Sequence, residues 1–213
     1  MRELRILTVL ALSYEILLHA IKLFRIKHPD VPITVQALHS PQIVSALALQ
    51  EAEVGFLFSP VAHPALAQEH LADGRMGCIA PKGLLPARLV SKGSVKLDQL
   101  KEIPVIGLDV TDSAGRSLYQ AWHEAGVGLD FSITVQTYHS ALALAHHGLG
   151  VALVDSCTAV SADPLRVDVL MLDPLIPVPV KAMLPAGKPG SVAVRAFIRC
   201  FQQALLYNTN RSA

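Results

Sequence analysis

Apolar residues in this chain gather into short dense runs, and each run is followed by a stretch whose apolar positions recur at helical spacing. LRILTV (4–9), VGFLF (54–58), PVIGL (104–108) and VALVD (151–155) are such runs. After the first come Leu17, Ala20, Ile21 and Phe24 on one helical face; after PVIGL come Leu118, Ala121 and Trp122. A strand that shows no polar alternation is buried on both faces, the signature of a sheet covered by helices. No run approaches the roughly 20 residues that a spanning helix needs. The 213 residues are 52% apolar, with a mean hydropathy of +0.43, so this hydrophobicity has to be spent on cores. Strands alternating with helices predict an α/β fold with parallel sheets.

A second feature divides the chain. ITVQALHS at 33–40 returns as ITVQTYHS at 133–140, identical at six of eight positions. Each run reads as a strand that delivers a serine to the start of a helix, with Ser40-Pro41 placing a capping hydroxyl before a proline and Ser140 capping an Ala/Leu helix that Gly148 ends. Ser13, and Asp112 or Ser113, are expected to cap the helices after the first strand of each half. Residues 82–101 read as a polar loop. RVDVLML (166–172) and VPVKAML (178–184) read as strands, and Val194, Phe197, Ile198, Phe201 and Leu205 align on a last helix. Two similar units predict two lobes: residues 1–77 with 181–213 as the first, 78–180 as the second, joined by crossing strands.

In parallel α/β sheets, ligands sit beyond the carboxyl ends of the strands, where helix N-termini offer unpaired N–H groups and partial positive charge. That rule selects candidates. From the first lobe they are Ala11, Leu12, His39, Ser40 and Phe58; from the second, Asp109, Asp112, His139, Ser140 and Asp155. Each has a plainer role to set against it. A serine at a helix start serves as a cap, Phe58 as core, and Asp155 either caps the next turn or meets a ligand amine or guanidinium. The acidic residues beside helix starts suit a zwitterion such as an amino acid or an opine-like conjugate. A cleft between the lobes is the expected ligand site.

Several function classes find no support. Cys78, Cys157 and Cys200 are odd in number and widely spaced, and so imply reduced thiols and no metal site. His146 and His147 are adjacent on a helix and point different ways. There is no Gly-rich phosphate loop and no nucleophile elbow, so neither cofactor nor catalysis is expected. With 18 basic and 17 acidic residues the chain carries no electrostatic footprint for nucleic acid. MRELRILTV does not read as a secretory signal, and cytoplasmic residence without membrane contact is expected.

FRIKHPDV (24–31), VQALHS, EAEVGF (51–56), HPAL (63–66) and GLGVALV (148–154), in that order, resemble the effector-binding domain of LysR-type transcriptional regulators. DSAGR (112–116) and LDPLIPVPV (172–180) resemble the opine-responsive branch. The resemblance covers nearly the whole chain. It implies a type 2 periplasmic-binding-protein-like fold of two Rossmann-like lobes, with a small effector in the cleft. It also implies a homodimer or homotetramer, and DNA contact only through an N-terminal winged helix-turn-helix, nothing like which precedes Arg5. Ser40 matches the family's effector-contacting hydroxyl, whereas Leu10-Ala11-Leu12 departs from the usual Ser or Thr after the first strand. The alternative on this fold is the solute-binding protein of a transporter.

Overall fold

The computed structural model describes residues 3–109, 113–124, 126, 128, 131, 133–187 and 190–211. They form two compact units, one made of the residues up to Asp73 and from Pro179 on, the other running from Gly74 to Val178. Boundaries at 77/78 and 180/181, as read from the sequence, would cut two continuous strands. The chain instead changes unit just before the first of them and just before the second.

The first unit holds a five-stranded sheet in the order β2-β1-β3-β11-β4. These strands are β1 (Leu4–Thr8), β2 (Ile33–Ala37), β3 (Val54–Phe58), β4 (Leu66–Ala72) and β11 (Val180–Pro185). β1 runs parallel to β2 and β3, while β11 is antiparallel to β3 and β4. The helices are α1 (Glu15–Lys27), α2 (Ser40–Ala48) and α7 (Val192–Arg211). α7 packs along α1. Its Phe197 meets Phe24 edge-on at 5.4 Å, and Phe201 stacks on Phe56 of β3 at 3.8 Å. All four rings are buried. α2 lies so close to β3 that a Cβ on Gly55 would stand 2.7 Å from Ile43 Cγ2 and 2.8 Å from Leu47 Cδ1, and any side chain there would have to push both aside.

The second unit holds a six-stranded sheet in the order β6-β10-β5-β9-β7-β8. Its strands are β5 (Met76–Pro81), β6 (Ser94–Val95), β7 (Val105–Leu108), β8 (Ile133–Val135), β9 (Val151–Asp155) and β10 (Val167–Leu172). β7 is parallel to β8 and β9, and β10 to β6; β5 is antiparallel to β9 and β10. The helices are α3 (Ala87–Lys92), α4 (Ser113–Glu124), α5 (Tyr138–His146) and the single turn α6 (Ser156–Ala159).

Three expectations change. Both sheets are mixed, because the chain enters β5 and β11 from the other unit without a crossover helix to turn it parallel. Residues 82–101 are no plain loop: they carry α3, β6 and a 3-10 turn at Leu97–Leu100, held by the buried Leu89, Val95, Leu97 and Leu100. β4 also emerges, from a segment whose mixture of Gln, Glu and His hides a strand that one neighbour pairs.

Candidate functional site

In the first unit, register brings three segments to one edge. Thr8 is level with Ala37 on one side and Phe56 on the other. The residues that follow them leave the sheet together. Val9 N–H donates to Phe56 O (3.1 Å) and Leu38 N–H to Thr8 O (3.0 Å), which ties the three departures. After β1 comes a 3-10 turn at Leu10–Leu12, with Ala11 and Leu12 buried. Ser13 is no helix cap. Its hydroxyl donates back to Leu10 O at 2.7 Å, and α1 begins only at Glu15, after Tyr14. Phe58 is 1% exposed, core by position, and Ser59 directly after it is held at φ 39°, outside the ordinary range for a residue with a side chain.

Ser40 opens α2 as its first helical residue; the cap position belongs to His39. Gln42 reaches back with Oε1 to accept from His39 N–H at 3.2 Å, while Gln42 N–H and Ile43 N–H both donate to His39 O. Pro41 in the first turn has no N–H to offer. His39 is exposed and Ser40 half-buried.

In the second unit Leu108 is level with Val135, and Ile106 with Ala152, so Asp109, Thr137 and Asp155 arrive together at the carboxyl edge of β7, β8 and β9. Asp109 N–H donates to Val135 O at 2.9 Å. Burial, aided by the Asp109 carboxylate, pushes the Tyr119 phenol up. Asp112 lies outside the described residues.

The second HS pair occupies a different place from the first. Thr137 is the cap of α5: its Oγ1 accepts from Ser140 N–H at 3.1 Å, and the two hydroxyls lie 2.8 Å apart. Ser140 is therefore the third helical residue and does not cap. The strands match at an offset of 100, Ile33 to Ile133, but the helices match at 98, Ser40–Ala48 to Tyr138–His146. Two residues join strand to helix in both cases, but the second strand ends two residues sooner, and identical letters land on different steps of the helix. His139 is half-buried, and burial holds its imidazole below the usual range.

Asp155 takes the capping role. Oδ1 accepts from Cys157 N–H (2.8 Å) and Thr158 N–H (3.0 Å), and Oδ2 from the Thr158 hydroxyl (2.5 Å). The carboxylate is 1% exposed and committed to α6. Burial pushes its pKa up to about 6, against the downward pull of those hydrogen bonds. Burial, with the Asp155 charge added to it, drives the Cys157 thiol upward, and burial alone takes Cys78 to about 12, so neither is a reactive thiolate. His146 Nε2 accepts from Asp163 N–H at 3.1 Å, a structural contact. Among the described residues no group of three or more His, Cys, Asp or Glu is placed to hold a metal ion, and no helix is long and apolar enough to cross a membrane.

Thr137 is the polar residue at this edge that sequence reasoning passed over. Its signal was present, since threonine caps as serine does, but the repeated His-Ser drew the cap three residues too far.

Two α/β units of mixed sheet, each turning helix starts toward the carboxyl ends of its parallel strands, make the type 2 periplasmic-binding-protein-like fold of a ligand-binding module. The chain belongs to the family described as LysR substrate binding domain, whose model matches residues 1–206. It is similar to the HTH-type transcriptional regulator DgcR of Pseudoalteromonas sp, at 29% identity over 70% of this chain and 50% of that protein. It is also similar to the regulatory protein NocR of Agrobacterium tumefaciens, at 26% identity over 96% of this chain and 67% of NocR. Against these relatives the chain thus spans half to two thirds of their length. Among solved structures, the BenM effector binding domain with its effector benzoate superposes with a TM-score of 0.82 over 97% of this chain and 93% of that one, at 20% identity, a likeness of fold.

Proposed function

We propose that this chain is the ligand-sensing part of a LysR-type transcriptional regulator, and that it takes a small amino-acid-like or carboxylate effector. The family match over residues 1–206 carries the reading, and the curated relatives are regulators, which favours it over a transporter's solute-binding protein and over an enzyme. In the full-length protein the effector shifts the balance between conformations, and so alters how a homodimer or homotetramer is held on DNA by a separate domain, in the cytoplasm.

The contacts we assign follow the two edges. In the first unit they are Ser40 and His39 at the start of α2, with the backbone of the turn holding Ala11. In the second unit they are Asp109, His139 and Ser140, arranged by Thr137. Leu12 and Phe58 back the edge of the first unit, and Asp155 fixes that of the second through its cap. A carboxylate of the effector suits the helix starts, and a cationic group suits Asp109.

A thermal-shift series tests the effector class. With L-amino acids, octopine, nopaline, benzoate and inorganic phosphate compared at equal concentration, the amino acids or opines are expected to raise Tm as any ligand of the native state does. Stabilisation by benzoate or phosphate alone would overturn the amino-acid assignment. In the responsive case, Ser40→Ala is expected to lower affinity on the order of tenfold, as loss of a hydrogen bond to a charged group does.

A further inference from the structure

The corner after β9 is tied to the two places where the chain changes unit. Ser156 N–H donates to Arg75 O at 2.8 Å, and Arg75 N–H donates to Ser156 Oγ at 3.4 Å, so the two residues clasp each other in both directions. Arg75 in turn bridges to Pro177. On either side of that bridge Val178 N–H donates to Gly74 O (2.8 Å) and Met76 N–H to Ile176 O (2.9 Å). The packing here is tight: a Cβ on Gly74 would stand 2.4 Å from Val178 O, so the strand pair closes only around glycine. Gly74 and Val178 are the first and last residues of the second unit.

We propose that Ser156 is a positioning residue that fastens the capped turn α6 to both chain crossings, so that the turn and the crossings open and close as one piece. Asp155 makes this possible by fixing α6 from beneath, and Ser156 then presents its N–H and hydroxyl side by side to Arg75. Taken with the sensing role proposed above, the clasp carries the effect of an occupant at the carboxyl end of β9 straight to the crossings. No separate relay is needed.

Proline separates the clasp from the fold. Ser156 is the first residue of α6, where proline is well tolerated, and Asp155 at φ −66° and ψ 156° already has the conformation that precedes proline. Ser156→Pro removes both arms of the clasp and leaves the turn. Ser156→Thr keeps both. Native-state hydrogen exchange followed by NMR, with no ligand present, reads the result. In Ser156→Pro the amides of Met76 and Val178 are expected to lose protection on the order of tenfold, while Thr158, Cys78 and Leu153 keep theirs; Ser156→Thr is expected to match the parent protein. Unchanged protection at Met76 and Val178 would refute the clasp, and so would an even loss across the whole second unit. Because no effector is used, either outcome stands apart from the ligand assignment.

Discussion

Thr137 and Asp155 show how little separates a cap from a ligand contact. Both stand at a strand's carboxyl end and accept from the next backbone N–H groups, and that task alone decides where the helix starts. Thr137→Ala is expected to cost about 1 kcal/mol in urea denaturation, and Ser140→Ala under about 0.5, the reverse of what the sequence repeat suggests. Asp155 has a second consequence. A carboxyl whose folded pKa is near 6 and whose ordinary value is 3.8 binds more proton folded than unfolded between those limits. Its contribution to stability is therefore full below about pH 4 and falls as pH rises through about 6, by roughly 3 kcal/mol at most. Asp155→Asn is expected to flatten that part of the stability profile. A parent profile that rises with pH from 4 to 6, with the same slope in the variant, would show the hydrogen bonds outweighing burial.

At the level of elements, the two halves are built by one grammar with one change of phrasing. β1-α1-β2-α2-β3 and β7-α4-β8-α5-β9 repeat the same order, and β2 and β8 are both parallel edge strands. The connections from β2 to α2 and from β8 to α5 are both two residues long, but β8 spans three residues where β2 spans five, which explains why His39 caps while His139 lies inside its helix. How closely a helix lies on its strand is set by single residues. Gly55→Ala is expected to destabilise the protein by about 1–3 kcal/mol, because Ile43 and Leu47 must move to admit the methyl. Combining it with Leu47→Ala should cost less than the sum of the two single changes, a non-additivity that a double-mutant cycle in urea measures.

Across the whole molecule, the first unit depends on residues from both ends of the sequence. α7 supplies Phe197 and Phe201 to a core that also draws on α1, β1, β3 and β11, so Phe201→Ala is expected to cost about 3–5 kcal/mol by calorimetry. The alternation of dense apolar runs with helical periods was enough to determine an α/β chain of two similar halves, since burial on two faces leaves a strand no polar positions. FRIKHPDV and GLGVALV likewise carried the family. Other features lay beyond it. The mixed direction of the sheets depends on how the chain enters each unit, which no local pattern encodes. The elements within 82–101 and β4 are held by partners far along the chain, Met171 and Leu172 for β6 and β11 for β4, and not by their own propensity. The identical HS pairs looked equivalent because a strand repeats by residue type. Only the tertiary structure showed that a strand shorter by two residues, with Thr137 as the acceptor at the helix start that follows, places them on different steps of their helices.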